Sequence, residues 1–141
     1  MPDVRPVLTI LAVADLAEVV GFYRAAFDWQ LTVDTPVYVE LRAPGGHRVG
    51  IYQRDGFARN VGAAPVAVPP GELAPVELYL HADDMDAAID RIRAAGGREL
   101  SARAARPWGD EAAYFADPAG TVVVVARPLA GSWYTLQDSN L

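Results

Sequence analysis

Hydrophobic and polar positions follow the same order in two stretches of this chain. A short apolar run rich in β-branched side chains occupies residues 7–13, and a second apolar run occupies residues 76–82. Each run is followed by apolar positions at helical spacing, which are Leu16, Val19, Val20, Tyr23 and Phe27 in the first stretch and Met85, Ala88, Ile89 and Ile92 in the second. The pattern therefore predicts a strand and then an amphipathic helix in each stretch.

Capping and turn residues set the limits of these helices and of the strands that follow them. Asp15 stands where the first helix needs an N-cap, Asp83 or Asp84 stands there for the second, and Gly96-Gly97 ends the second helix. The strand-like stretches that come next are 29–34, 37–43 and 47–53 in the first half and 98–106, 111–116 and 121–126 in the second. Each half is therefore predicted to fold in the order β-α-β-β-β.

The two halves are copies of one unit. Residues 7–29 align with residues 76–98 without a gap at an offset of 69 residues, which places Asp15 on Asp84. A repeated unit predicts a duplicated fold with its functional site between the copies. We therefore interpret residues 1–141 as one α+β domain, with module 1 at 5–53, a connecting loop at 54–75, module 2 at 76–127 and a C-terminal tail at 128–141.

The connection and the tail carry apolar residues outside the repeat. The connection holds four prolines and has no clear periodicity, which indicates a long loop rather than a core element. Phe57 within it either folds over a ligand or anchors a plain linker. Trp133, Tyr134 and Leu136 in the tail are too apolar to be left in water, so we expect them to pack on a neighbouring module or on a second subunit.

Composition excludes several classes of function. The chain has no cysteine, which rules out thiol nucleophiles, thiolate metal sites and disulfides. A net charge of −6 and the scatter of its 12 basic residues, all of them arginine, argue against nucleic acid as a partner. The apolar run at 7–13 is far shorter than the roughly 20 residues that cross a bilayer, and no secretion signal is recognisable. We therefore expect a cytoplasmic protein with neither a membrane nor a nucleic-acid partner.

Two short motifs join the repeat in a recognisable order. Phe22-Tyr23-Arg24 lies in the first helix, and Asp117-Pro118-Ala119-Gly120 precedes the last strand. Over residues 5–127 this arrangement resembles the vicinal oxygen chelate superfamily, the group of glyoxalase I, extradiol dioxygenases, fosfomycin resistance enzymes and bleomycin resistance proteins. The resemblance implies two tandem βαβββ modules whose mixed β-sheets curl around a cavity.

The resemblance also implies where a metal would be bound. Enzymes of the superfamily hold a divalent metal with side chains from the first and last strands of each module, and those positions are here Leu8, Gly50, Glu77 and Val124. Only Glu77 has a donor atom, whereas a catalytic metal generally needs at least three protein ligands. We therefore expect no cofactor. Glu77 and His81 remain a two-ligand fragment of a displaced site, but at i and i+4 on a strand they lie roughly 13 Å apart.

Strand alternation predicts an apolar, aromatic cavity with one acid. The positions expected to line it are Leu8, Ile10, Gly50, Tyr52, Glu77, Tyr79, His81 and Val124, with Trp108 at a hairpin, Phe57 over the opening and Tyr114 or Phe115 pointing inward. Gly50 is expected to leave volume for a bulky flat ligand. Glu77 is expected either to serve the function or to pair with an arginine such as Arg48, and His81 either to contact ligand or to bond to backbone.

Three functions remain open at this point. The first is a metal-independent protein that sequesters a hydrophobic or aromatic small molecule, and the similarity of Pro107-Trp108-Gly109-Asp110 to bleomycin-resistance members implies an antibiotic bound by a homodimer. The second is a glyoxalase- or dioxygenase-like enzyme that uses a displaced metal site, or Glu77 as general acid or base. The third is a structural or regulatory partner domain. No nucleophilic triad or dinucleotide-binding glycine motif is present.

Overall fold

The computed structural model describes residues 3–129. Its elements are β1 (Leu8–Val13), α1 (Leu16–Ala26), β2 (Gln30–Asp34), β3 (Tyr38–Arg42), β4 (Arg48–Gln53), α2 (Arg54–Val61), β5 (Glu77–His81), α3 (Met85–Ala94), β6 (Arg98–Ala105), β7 (Asp110–Ala116) and β8 (Val122–Pro128). Among residues 3–129, no helix is long and apolar enough to span a membrane. Trp133, Tyr134 and Leu136, for which a subunit contact is predicted, lie outside the described residues.

Each module forms a four-stranded mixed sheet with the same topology. The strand orders are β1-β4-β3-β2 and β5-β8-β7-β6, so the first strand of each module lies at a sheet edge. The first strand runs parallel to the last strand of its module, and the other pairs are antiparallel. The predicted α+β fold with two βαβββ modules is confirmed, although the sheets are open and do not close into barrels.

Aspartate caps fix the starts of the two repeat-related helices. The Asp15 carboxylate accepts from the backbone N–H of Glu18 at 3.0 Å. Asp84, and not Asp83, caps α3, because its carboxylate accepts from the N–H of Ala87 at 3.1 Å. Each bond satisfies one of the N–H groups that a helix start leaves without an intrahelical partner.

The connection is not the plain loop that the sequence predicts, because it begins with helix α2. The side-chain oxygen of Gln53 accepts from the N–H groups of Asp55 and Gly56 at 2.9 and 3.2 Å, and Gly62 ends the helix with a φ of +86°. Only Gly56 is buried within α2. The helix is therefore defined by its two ends and carries no buried apolar stripe that a periodicity search detects.

The two modules share one hydrophobic core. Helix α1 packs on β4, α3 packs on β8, and the two helices contact each other. One buried hydrogen bond also crosses between the modules, since the Tyr23 hydroxyl donates to Asp117 Oδ2 at 2.6 Å. Helices α1 and α3 each occupy one face of a sheet, and the opposite face carries the side chains that strand alternation assigns to the cavity. On the first sheet, α2 lies over Tyr52 on that opposite face. Among the described residues, the opposite face of the second sheet has no helix packed on it.

Candidate ligand-binding site

The helix-free face of the second sheet, which lies opposite α3, carries a small cluster of buried apolar residues together with polar and aromatic side chains. Register places Glu77 beside Val122, Tyr79 beside Val124 and His81 beside Ala126. On β7, Ala112 and Tyr114 lie next to Ala126 and Val124. Val124, Ala126 and Ala112 are fully buried and form a cluster separate from the main core. The alternation predicted for this sheet therefore holds.

A chain of polar contacts crosses this face. Trp108 Nε1 donates to the Tyr79 hydroxyl at 2.8 Å, and that hydroxyl donates to Asp110 Oδ2 at 2.5 Å. His81 Nε2 lies 3.6 Å from the same carboxylate oxygen. Asp110 is fully buried, whereas Tyr79 is 38% exposed. The buried carboxylate therefore fixes an exposed tyrosine, and an exposed histidine lies beside both.

The surroundings of the Tyr79 hydroxyl keep it protonated, so that it acts as a hydrogen-bond donor to Asp110. Burial, followed by the hydrogen bond to Asp110, raises the pKa of Tyr79 well above its usual value. In the part of the chain that the structure describes, Asp110 Oδ1 and Arg106 Nε are buried without a hydrogen-bond partner. Unpaired buried polar atoms are costly, and native proteins keep few of them.

Arg106 holds the neighbouring aromatic ring in place. Its guanidinium carbon lies 4.9 Å from the centre of the Tyr114 ring, and its Nη2 donates to Ser101 Oγ at 3.1 Å and to the carbonyl of Ala112 at 3.0 Å. A cation over an aromatic face is attracted by the ring quadrupole. Burial, and secondly the charge of Glu77, raise the pKa of Tyr114. Tyr114 therefore points to the helix-free face, whereas Phe115 points into the core.

On the first sheet, the face opposite α1 carries polar side chains around Gly50 and does not form the open volume that the sequence predicts. A Cβ atom at Gly50 would lie under 3.0 Å from the Tyr38 hydroxyl, so Tyr38 fills the volume that the sequence predicts to be open. Glu40 accepts from Tyr38 at 2.7 Å and from Arg48 at 3.1 Å. The suggested pairing of Arg48 with Glu77 is therefore wrong, because Arg48 is bonded to a carboxylate of its own module.

The four positions at which the resemblance implies metal ligands do not fit a divalent metal centre. Leu8, Gly50 and Val124 offer no side-chain donor, and Val124 is fully buried. Across residues 3–129, no group of three or more His, Cys, Asp or Glu side chains lies close enough together to hold a metal ion. We derive no chemistry through a metal at this site.

A cavity of about 770 Å³ runs along the free edge of β5 and is lined by both modules. Of the residues predicted to bind ligand, Glu77, Tyr79 and His81 line it. Among the lining residues that the sequence analysis did not assign to a site are Thr9, Phe27, Trp29 and His47 of module 1. His47 lies in the β3–β4 turn and is hydrogen-bonded to Thr9 at 3.0 Å. No sequence motif marks these residues, because they approach β5 only through the packing of the modules.

The remaining predicted residues lie outside that cavity. Tyr114, Val124 and Trp108 belong to the second sheet and its β6–β7 turn, next to Tyr79. The others are Leu8, Ile10, Gly50 and Tyr52 on the first sheet and Phe57 on α2 in the connection. The Phe57 ring stands edge-on to Tyr52, with 6.2 Å between ring centres. The structure thus divides the predicted set between the two sheets, and it adds Asp110, to which the sequence analysis assigned no role of its own.

Comparison with known proteins agrees with this architecture. Among solved structures, a glyoxalase/bleomycin resistance protein/dioxygenase from Nocardioides is 22% identical, with 94% of this chain and 89% of that chain covered and a TM-score of 0.77. A lactoylglutathione lyase from Agrobacterium tumefaciens is 24% identical, with coverages of 89% and 94% and a TM-score of 0.67. TioX from Micromonospora sp. ML1 is 20% identical, with coverages of 89% and 99% and a TM-score of 0.65.

At these identities the solved structures establish the fold alone. A search of curated proteins finds no match. The sequence model of the glyoxalase-like domain matches residues 8–126, which is most of the chain. The repeat, the open mixed sheets and this match agree, and the chain therefore belongs to the glyoxalase-like domain family of the vicinal oxygen chelate superfamily.

Proposed function

We propose that this protein binds an aromatic or hydrophobic small molecule on the helix-free face of its second sheet, without a metal ion. The observation that carries the proposal is the bonded chain Trp108–Tyr79–Asp110, which holds an exposed aromatic ring in one orientation. A ring that is already immobilised loses little conformational freedom when a ligand packs on it. Tyr79 and Trp108 are therefore the expected contacts for a flat ligand.

The surrounding groups support the same chemistry. The Tyr79 and His81 rings stand edge to face at 6.1 Å between centres, and Tyr114 lies beside them under the Arg106 cation. Aromatic pairs in such arrangements contribute beyond the area that they bury. The adjoining cavity of about 770 Å³ is large enough for a drug-sized molecule.

The ligand class and the assembly follow as further parts of the proposal. One similar structure carries a family name that includes bleomycin resistance proteins, so an aromatic antibiotic is the ligand class that we propose, bound by a cytoplasmic homodimer. Because three of the four positions implied for metal ligands lack donors, binding rests on aromatic packing and hydrogen bonds rather than on chelation.

Tryptophan fluorescence tests this proposal. A panel of aromatic antibiotics is titrated into the protein with and without a metal chelator. Quenching by at least one compound is expected, equal in both buffers and reduced in Trp108→Phe more than in Trp29→Phe. Tyr79→Phe removes the hydroxyl that joins Trp108 to Asp110, so the affinity falls about 3- to 10-fold. Tyr52→Phe, a tyrosine of the first sheet, is the matched control and leaves the affinity unchanged.

Two results contradict the proposal. The first is that no compound of the panel quenches the tryptophan fluorescence, or that a compound quenches it with the same affinity in wild type and in Tyr79→Phe. The second is a stoichiometric metal, measured by mass spectrometry of the purified protein, that is lost in Glu77→Ala. That result favours a metalloenzyme with a displaced site.

A second candidate is a metal-free enzyme in which His81 acts as general base. The observation that favours it is the buried Asp110 carboxylate 3.6 Å from His81 Nε2, because a base is commonly oriented by such a partner. The geometry supports His81 over Glu77 for this role, since Glu77 makes no side-chain hydrogen bond within the described ranges. Turnover that is lost in both His81→Gln and Asp110→Asn, with binding retained, supports the enzyme. Turnover that survives both changes removes it.

A further inference from the structure

A second cavity, of about 650 Å³, lies on module 1 beside the β3–β4 turn, and its lining is rich in arginine. Arg5 from the segment before β1, Arg42 at the end of β3 and Arg48 at the start of β4 all line it. We call this cavity the arginine basin. It lies away from the Tyr79 and Asp110 cluster, on the other side of the turn whose His47 borders both cavities.

The charge of the arginine basin is opposite to that of the protein. Glu40 is its one acidic lining residue among those that the structure describes, against three guanidinium groups. The lining therefore carries a formal charge of +2, from three arginines and one glutamate, while the whole chain carries −6. Like charges gathered in one cavity repel each other, and an anion relieves that repulsion.

Glu40 offsets only one of the three arginines, because its two oxygens are held by Arg48 and by two neighbouring hydroxyl groups. Its Oε1 accepts from Tyr38 at 2.7 Å, and its Oε2 accepts from Arg48 at 3.1 Å and from Thr32 at 3.2 Å. Glu40 is also buried, with 6% of its surface exposed. It therefore orients the Arg48 guanidinium and leaves the other faces of that group directed to the basin.

The guanidinium groups of Arg5 and Arg42 are available to bind a ligand. In residues 3–129, neither makes a salt bridge or a side-chain hydrogen bond to another protein group, and both are exposed. A guanidinium presents a rigid fork of N–H donors that matches phosphate and carboxylate oxygens. We propose that the arginine basin binds a doubly charged oxyanion group of a small molecule, the chemistry shared by phosphate esters and dicarboxylates.

Calorimetric titration at constant ionic strength tests the basin. Inorganic phosphate and malonate are the two probes, and the tighter one identifies the source of the oxyanion. Saturable binding is expected, with shifts of the backbone N–H resonances of Arg42 and of residues 45–48. Arg42→Gln and Arg5→Gln each weaken binding about 10-fold, the loss expected for one charge-assisted contact. Arg59→Gln on α2 removes the same charge outside the basin and leaves the affinity unchanged.

Two outcomes overturn this proposal. One is that neither probe binds saturably. The other is binding that Arg59→Gln weakens as much as Arg42→Gln, because that result indicates only a general effect of net charge. Arg48→Gln is not the decisive variant, since it also removes a partner of buried Glu40. Ligand quenching of Trp108 does not depend on these arginines. A negative result for the arginine basin therefore does not contradict aromatic ligand binding at Tyr79 and Trp108, and a negative result for that binding does not contradict the arginine basin.

Discussion

Replacing Tyr23 with phenylalanine removes one hydroxyl and tests whether the two modules fold as a single unit. Tyr23 is fully buried on α1 of module 1, and its hydroxyl donates to Oδ2 of Asp117 in module 2 at 2.6 Å. The other oxygen of Asp117 keeps its bonds from the N–H groups of Ala119 and Thr121 at 2.8 and 2.9 Å. The substitution therefore leaves the ring packing in place and strips one carboxylate oxygen of its partner.

The expected cost at neutral pH is about 1.5 to 3 kcal/mol of unfolding free energy, the range for hydrogen bonds to charged groups. The cost depends on pH through Asp117. Burial raises the pKa of Asp117 above its usual value, and the hydrogen bond from Tyr23 opposes that rise. Because a carboxyl group with a raised pKa in the folded state resists ionisation, its contribution to the unfolding free energy falls as the pH rises above about 4. Without the Tyr23 hydroxyl the loss is steeper, so the variant suffers more at pH 7 than at pH 4.

Urea denaturation at pH 4 and pH 7, followed by circular dichroism, measures both quantities. The matched control is Tyr52→Phe, because the Tyr52 hydroxyl accepts from Asn60 at 3.3 Å in an exposed position. That control is expected to change the stability by less than about 0.5 kcal/mol. Asp117→Asn in wild type and in Tyr23→Phe completes a double-mutant cycle that isolates the pair.

The reasoning is refuted if Tyr23→Phe costs less than about 0.5 kcal/mol, or costs the same at both pH values. A transition that separates into two steps in wild type would also contradict a shared core.

Two further perturbations probe the first sheet. Gly50→Ala places a Cβ against the Tyr38 hydroxyl and should lower the unfolding free energy, measured in urea, by about 1–3 kcal/mol. Gly21→Ala is the control: no atom lies within 4 Å of the new Cβ, and the change should raise the unfolding free energy by about 0.5–1 kcal/mol. Equal effects of the two substitutions would show that Tyr38 does not occupy the volume next to Gly50. The hydrogen bond from Tyr38 holds the pKa of Glu40 below its usual value, so Glu40 contributes stability that is lost as the pH falls below about 4. Tyr38→Phe should raise that pKa in carboxyl-carbon NMR and make the acid loss smaller; an unchanged pKa would contradict the assignment.

Much of the fold was predictable because its signals are local. The strand and helix limits agree within one or two residues, since alternation and helical spacing are properties of short segments. The Asp15 cap and the side of the sheet on which Tyr79 lies follow from the same local rules, whereas the choice between Asp83 and Asp84 as the cap of α3 needed the structure. The sequence analysis did not predict helix α2, because this helix has no apolar periodicity. Only its ends mark it: the Gln53 side chain caps its start, and Gly62 ends it.

The site was predictable only in part because its chemistry depends on neighbours from other strands. Alternation placed Tyr79 on the correct face, but only the chain reversal between β6 and β7 brings Trp108 and Asp110 to its hydroxyl. Likewise Gly50 looks vacant in the sequence, whereas the adjacent strand places Tyr38 over it.

The sequence by itself determined the duplicated βαβββ architecture, the aspartate cap of α1 and the scarcity of metal-binding donors at the implied positions, because each depends on residue type and spacing along one segment. The tertiary structure decided which groups meet: Tyr79 with Asp110, Arg48 with Glu40, and Tyr23 with Asp117 across the modules. The physical reason is that hydrogen bonds and ion pairs act over a few ångströms in space, whereas the residues that form them here are eight to 94 positions apart in the chain. Strand pairing brings Arg48 to Glu40, and the packing of the two modules brings Tyr23 to Asp117.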